Sequence, residues 1–304
     1  MARTDNRAGA VTSPREAASR QILHAAAAQA GLDSTGTTVI RLAENDLWRL
    51  PNRVVARIAR PGQHQAAAKE IAVTRWLATH RFPAVRPLPI PQPLQAGGRA
   101  VTFWEELPEH RHGTIPQVAH LLRQLHRLPY AALPLAPLDP FVRINERLTA
   151  ATWCADDDRA WLLNRLAELE AAWAQLPAGL PHCVIHADAW TGNVAATATG
   201  PYLLDFERTA LGPPEWDLTS TAVLTDTFSI LPAREYEAFC EAYGQDVTVW
   251  SGYSPMRDIR ELRLATFALQ AAGDDPDART EAQYRINCIR GRQGPRPWRW
   301  TELH

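Results

Sequence analysis

Apolar positions along the chain change their period several times. Ser13-Pro14-Arg15-Glu16 carries a capping-box signature with proline at the first helical position. The pattern predicts a helix through Ala26 to about Ala30, closed by Gly31. Residues 1–12 before it read as a loose polar tail. From Thr37 the period shortens toward alternation. Thr37–Leu42, Asn45–Arg49 and Val54–Ala59 read as strands, the last ended by Pro61-Gly62. Residues 64–80 are alanine-rich with Glu70, Trp76 and Leu77 at helical spacing. Pro83 to Pro93 holds five prolines in eleven residues and predicts an extended connection. Ala100–Trp104 reads as a further strand.

After Leu107 the helical period dominates. Helices are expected over 115–128, 157–174, 215–224, 233–243, 256–272 and 280–290. Two short apolar strands interrupt them, Cys183–Ile185 and Tyr202–Leu204. The order implies an α+β chain: a β-rich lobe over 1–107, then a larger, mainly helical lobe over 108–304, with no internal repeat.

Composition narrows the function classes. The 304 residues include 46% hydrophobic ones, as expected of a folded chain with a sizeable core. A formal net charge of -1 lacks the basic excess of a nucleic-acid binder. No apolar run reaches the ~18 residues of a membrane span. Met1–Ser13 lacks the apolar core of a secretory signal. Cys154, Cys183, Cys240 and Cys288 form no CxxC pair, which fits reduced thiols in a cytoplasmic protein. The expected partners are small molecules, and the chain is expected to be a monomer or homodimer.

Chemistry concentrates at His186-Ala187-Asp188-Ala189-Trp190-Thr191-Gly192-Asn193 and at Leu203-Leu204-Asp205-Phe206-Glu207. Phosphoryl transfer needs a carboxylate to accept the proton of the attacking hydroxyl and hard oxygen ligands to hold Mg²⁺ on the phosphates. An Asp five residues before an Asn can aim both side chains into one cleft, and a second Asp after the next strand completes the set. Strands at 183–185 and 202–204 are expected to lie as a hairpin that gathers all three.

This H-x-D-x4-N…D pattern resembles the aminoglycoside phosphotransferase and choline kinase-like family, a branch of the protein-kinase-like fold. The resemblance implies a bilobal fold, a small antiparallel β-sheet lobe with a helix and a larger helical lobe. It implies Asp188 as catalytic base, Asn193 and Asp205 as Mg²⁺ ligands, and His186 as a brace of the loop. Gly212-Pro213-Pro214-Glu215-Trp216-Asp217-Leu218 is similar to a further family segment, in which Asp217 caps the next helix and holds the catalytic loop. In the first lobe the resemblance implies an ion pair between Arg57, on the central strand, and Glu70. Arginine here departs from the lysine of protein kinases but keeps the charge. The turn at Ala43-Glu44-Asn45-Asp46 lies where a protein kinase has a glycine-rich loop, and Asn45 is the candidate phosphate contact or else a plain turn residue. Backbone groups near Glu105 and Leu107 are expected to meet the base of ATP or GTP.

The implied activity is transfer of the γ-phosphate of ATP or GTP to a hydroxyl of a small molecule, an aminoglycoside or other antibiotic among the candidates. Glu215 lies only nine positions after Phe206, which leaves no room for a protein kinase's activation segment. The alternative is a pseudokinase or nucleotide-binding regulatory protein of the same fold. Trp190, Glu207, Asp157 and Trp216 are the acceptor-side candidates. Asp157 lies in an Asp156–Asp158 run that also suits a helix N-terminus. The tail from Arg290 to Trp300 reads as a strap with arginine stems over apolar surface.

Overall fold

A computed structural model describes residues 13–130, 133, 135–273 and 275–301. The expected polar tail, residues 1–12, lies outside them. The chain divides into two compact units. The first comprises Met1–His110 with Leu204–Glu207, the second Arg111–Leu203 with Arg208–His304.

The first unit opens with α1 (Pro14–Ala30). Ser13 Oγ accepts from the Glu16 amide, while the Glu16 carboxylate turns to Arg20, so only half of the capping box forms. Gly31 closes the helix in the left-handed region, φ 66°, a conformation costly to any residue with a Cβ. Strands β1 (Thr38–Leu42), β2 (Asp46–Leu50), β3 (Val54–Ile58), β4 (Leu94–Ala96) and β5 (Arg99–Glu105) form one antiparallel sheet in the order β1-β2-β3-β5-β4. Helix α2 (His64–Thr79) follows β3. Leu23, Ala26 and Ala27 of α1 pack with Trp48, Ala56, Ile58, Val101 and Phe103 of the sheet. Every second residue of β3 is buried, which turns Val55 and Arg57 to the opposite face. The edge strand β4 is not evident in the sequence, because the prolines before it mask a three-residue ladder.

The division falls within β6 (His110–His112). The second unit contains α3 (Ile115–Leu125), α4 (Ile144–Ala150), α5 (Asp156–Ala174), α6 (Glu215–Asp226), α7 (Ala233–Tyr243), α8 (Tyr253–Ala272) and α9 (Pro276–Ile289). Thr114 and Gln117 complete a reciprocal capping box on α3. Its strands correct one expectation. Residues 183–185 and 202–204 do not form a hairpin with each other. Strand β7 (Cys183–Ile185) pairs with β10 (Ala210–Gly212), and β8 (Val194–Thr197) pairs with β9 (Gly200–Leu203). The two-residue turn after Thr197 makes β8–β9 the local pairing, and β7, buried throughout, takes the later strand. The core joins α4, α5, α8 and α9 to β7 around Trp216. No helix among the described residues is long and apolar enough to cross a membrane.

Candidate active site

In the first unit, β3 and α2 bring Arg57 against Glu70 as an ion pair. Glu70 is buried, at 3% exposure. Leu204–Glu207 belongs to the same unit and closes around this pair. Glu207 meets Arg57 Nη2 at 2.7 Å, Asp205 approaches the same nitrogen at 3.8 Å, and the Phe206 amide donates to Glu70 Oε1 at 3.2 Å. Asn45, with its amide oxygen turned to the guanidinium, accepts from Arg57 Nε at 3.2 Å and Nη2 at 2.8 Å. Arg57 is therefore the hub of a cluster containing Asn45, Glu70, Asp205 and Glu207. Burial, with Asp205 and Glu207 adding to it against the pull of Arg57, pushes Glu70 up to about 7. Desolvation works against the charge of Arg57, but Glu70, Asp205 and Glu207 together raise its pKa above the ordinary value.

Glu207, expected from the sequence on the acceptor side, is instead bound to Arg57. At the expected hinge, the Glu105 amide donates to Arg86 O at 2.9 Å and the Glu106 amide to Arg53 O at 2.8 Å. Those bonds commit both N–H groups to the end of the sheet. Leu107 follows, half-buried.

The second unit holds the loop after β7. His186 is fully buried, and its Nδ1 accepts from the Asp188 amide at 3.3 Å. Asp217, in the first turn of α6, does not cap its own helix. Its carboxylate accepts from the His186 amide at 2.8 Å and the Ala187 amide at 2.7 Å. His126 Nε2 lies 3.1 Å from the same carboxylate, and His126 Nδ1 lies 2.9 Å from the Tyr243 hydroxyl. An ionised carboxylate only accepts, so His126 donates to it through Nε2. Burial opposes the charge of Asp217, but the bond from His126 and the loop amides outweigh it and hold its pKa below the usual carboxylate value.

This bracing holds Ala187 at φ 66°, a left-handed conformation that costs an alanine roughly 1–2 kcal/mol. Asp205 has φ 63°. Two of the described non-glycine residues with positive φ thus fall inside the two motif segments, where strain of this kind commonly accompanies function. Asp188 emerges with its side chain 44% exposed, and Arg208 Nε stands 3.4 Å from Asp188 Oδ2. Asn193 donates from Nδ2 to Asp188 O at 2.9 Å, which leaves its amide oxygen as the end that can meet a cation. Among the described residues no cluster of three or more His, Cys, Asp or Glu forms a metal cage. A magnesium ion needs no such cage. It takes one or two protein oxygens and completes its shell with phosphates and water, and the Asn193 amide oxygen and the Asp205 carboxylate are each a hard oxygen donor of that kind.

Trp190 is 54% exposed and meets His112 edge to face. A Cβ at Gly192 would lie 2.3 Å from the Trp190 ring, so the indole needs a glycine beneath it. One acceptor-side expectation fails. Trp216 is 1% exposed, edge-on to Trp173 and covered by the Arg260 guanidinium at 4.1 Å. It is core, because the first turns of α6 are buried on every side. Asp157, exposed in the first turn of α5, pairs with Arg290 at 3.0 Å and Arg292 at 3.4 Å. The rest of the tail behaves as a strap: Arg296 pairs with Asp258 and Glu261, and Trp298 stacks on Trp300.

The model of the phosphotransferase enzyme family matches residues 10–259, a stretch that runs through both units. The chain belongs to this family, and its fold is the α+β, protein-kinase-like one. Solved structures agree on the fold. An amicoumacin kinase in complex with AMP-PNP, Ca²⁺ and Ami gives a TM-score of 0.68 at 16% identity, over 93% of this chain and 97% of that one. A choline/ethanolamine kinase family protein from Mesorhizobium loti gives 0.65 at 20% identity, over 91% and 94%. A macrolide 2'-phosphotransferase from Brachybacterium faecium gives 0.56 at 20%, over 87% and 97%. No curated protein matches the chain.

Proposed function

We propose that the protein transfers the γ-phosphate of a nucleoside triphosphate, ATP or GTP, to a hydroxyl of a small molecule, with Asp188 as base. The observation that carries this is the treatment of Asp188. A half-exposed carboxylate follows a strained alanine on a loop clamped from behind by a buried aspartate. Such clamping fixes a group for a reaction, since a plain turn does not need it. The family match supports the reaction class.

In the proposed step the acceptor oxygen forms a bond to the γ-phosphorus while the bond from that phosphorus to the β,γ-bridging oxygen breaks. The electron pair leaves with the nucleoside diphosphate. Asp188 takes the hydroxyl proton and returns it to solvent. Arg57, positioned by Glu70, binds phosphate oxygens with its fork-shaped guanidinium. Asn45 and Glu207 limit the swing of that side chain. Asn193 and Asp205 would hold Mg²⁺, which supplies charge neutralisation on the phosphates. Leu107 and the Glu105 carbonyl are the proposed base contacts. Trp190 is the proposed wall of the acceptor pocket. His186 serves as a positioning residue.

The test is a screen of hydroxyl acceptors with γ-labelled ATP and GTP, with and without Mg²⁺. Label transferred to an acceptor only with metal present is the expected result. Tight nucleotide binding without transfer to any acceptor, and with no effect of Asp188→Asn on any activity, points to the pseudokinase instead.

A further inference from the structure

Four arginines of the second unit form a cationic group, and one of them faces the carboxylate proposed as base. Arg208, in the segment entering β10, faces Asp188 directly at 3.4 Å and is 48% exposed. Arg260 and Arg263 lie one turn apart on α8, and Arg147 lies on α4. Arg147 Nη1 reaches the Arg263 carbonyl at 3.5 Å. The Arg260 and Arg263 guanidinium carbons lie over the Trp216 ring, at 4.1 and 5.8 Å from its centroid. All four residues belong to the second unit.

What sets Arg260 and Arg263 apart is burial without a paired carboxylate. Other buried or half-buried arginines are paired, as Arg57, Arg99, Arg257, Arg285 and Arg296 are. Among the described residues, no carboxylate lies within ion-pair distance of Arg147, Arg260 or Arg263, and Arg208 reaches only Asp188. Arg260 Nη2 and Arg263 Nη1 donate to the carbonyls of Trp216 and Pro140, both at 2.6 Å. Arg260 Nε is buried with no hydrogen-bond partner. A buried guanidinium nitrogen without an acceptor is costly.

We propose that the acceptor hydroxyl is carried by an anionic small molecule, whose carboxylate or phosphate ester is bound by this arginine group beside Asp188. The inference rests on the phosphotransferase reading and deepens it. A bound oxyanion supplies the counter-charge that the fold withholds, and guanidinium forks match carboxylate and phosphate oxygens in bidentate fashion. It also competes with Asp188 for Arg208, so occupation of the site draws the cation away from the base. Burial and mutual repulsion disfavour the charged forms of these side chains. Burial, then repulsion from Arg263 and Arg208 against the pull of Asp217 and Asp188, brings Arg260 down to about 9. Burial, then repulsion from Arg208 and Arg147, brings Arg263 down to about 10. Burial, then Arg143 and Arg208, lowers Arg147. The same charges repel a polycationic acceptor.

The experiment compares the anionic probes glycerate and glycerol 3-phosphate with neutral glycerol and cationic choline. Each is titrated into full-length protein saturated with AMP-PNP and Mg²⁺, with binding read by calorimetry. The wild type is expected to bind at least one anionic probe about tenfold or more tightly than glycerol or choline. Preference for glycerate or for glycerol 3-phosphate separates the carboxylate from the phosphate ester. Exposed Arg208 is the safe variant: Arg208→Ala should cut the anion-over-glycerol preference about tenfold, and Arg208→Glu should abolish it. Equal binding of anionic and neutral probes, a preference for choline, or a loss in Arg208→Ala that affects all probes alike overturns the proposal. Failure of AMP-PNP itself to bind with Mg²⁺, read in the same samples, would instead count against the phosphotransferase reading.

Discussion

Asp217 Oδ1 accepts a 2.7 Å hydrogen bond from the amide of Ala187, the residue immediately before the proposed base. A residue 30 positions downstream thus sets the backbone that presents Asp188. Asp217→Ala leaves the buried His186 and Ala187 amides without their acceptor, at a cost of about 2–5 kcal/mol. Chemical denaturation should show that loss, and transfer by the folded fraction should fall with it.

The same carboxylate predicts an acid limb of stability. Its folded pKa lies below its ordinary value. The stabilisation is therefore complete above the unfolded value of about 4 and is lost as pH falls through the folded one. Thermal melts of wild type between pH 7 and pH 3 should decline across that limb, and Asp217→Asn, less stable at pH 7, should decline less. Parallel curves would contradict the assignment.

Arg57 is not replaceable by lysine without loss. One ammonium cannot span Glu70, Glu207 and Asn45 as the guanidinium does. Arg57→Lys should raise the KM for nucleotide about tenfold, the factor expected when a single charge-assisted hydrogen bond to phosphate is removed. Steady-state kinetics with nucleotide varied checks it, and an unchanged KM contradicts it.

Gly192→Ala should act through Trp190. The new Cβ would sit 2.3 Å from the indole, so the ring must move. The acceptor KM should rise several-fold while the nucleotide KM holds. Trp216→Ala, in contrast, removes a fully packed core ring and should cost about 3–5 kcal/mol in denaturant unfolding.

The contrast between these two tryptophans marks what the sequence made legible. Helices with caps and apolar stripes could be read closely, and Ala233–Tyr243 coincides with its expected bounds. The residues of the H-x-D-x4-N segment stood out because their types and spacing match a chemical need. Pairing between strands did not stand out. Cys183–Ile185 is apolar throughout, so nothing in it distinguishes Tyr202–Leu204 from Ala210–Gly212 as partner. Nor did facing: Trp190 and Trp216 look alike as letters, and only packing exposes one and buries the other. Glu207 lies two residues after Asp205, yet which way it turns depends on Arg57, 150 residues earlier. The arginines near Asp188 come from three separated segments, and no local pattern joins them.

The central claim is that Asp188 accepts the proton of the attacking hydroxyl. Asp188→Asn keeps the side chain's shape and removes its basicity. Single-turnover transfer from labelled ATP should slow by roughly 10²–10⁴-fold, with the affinity for Mg²⁺-nucleotide unchanged. Transfer at the native rate by that variant would contradict the account.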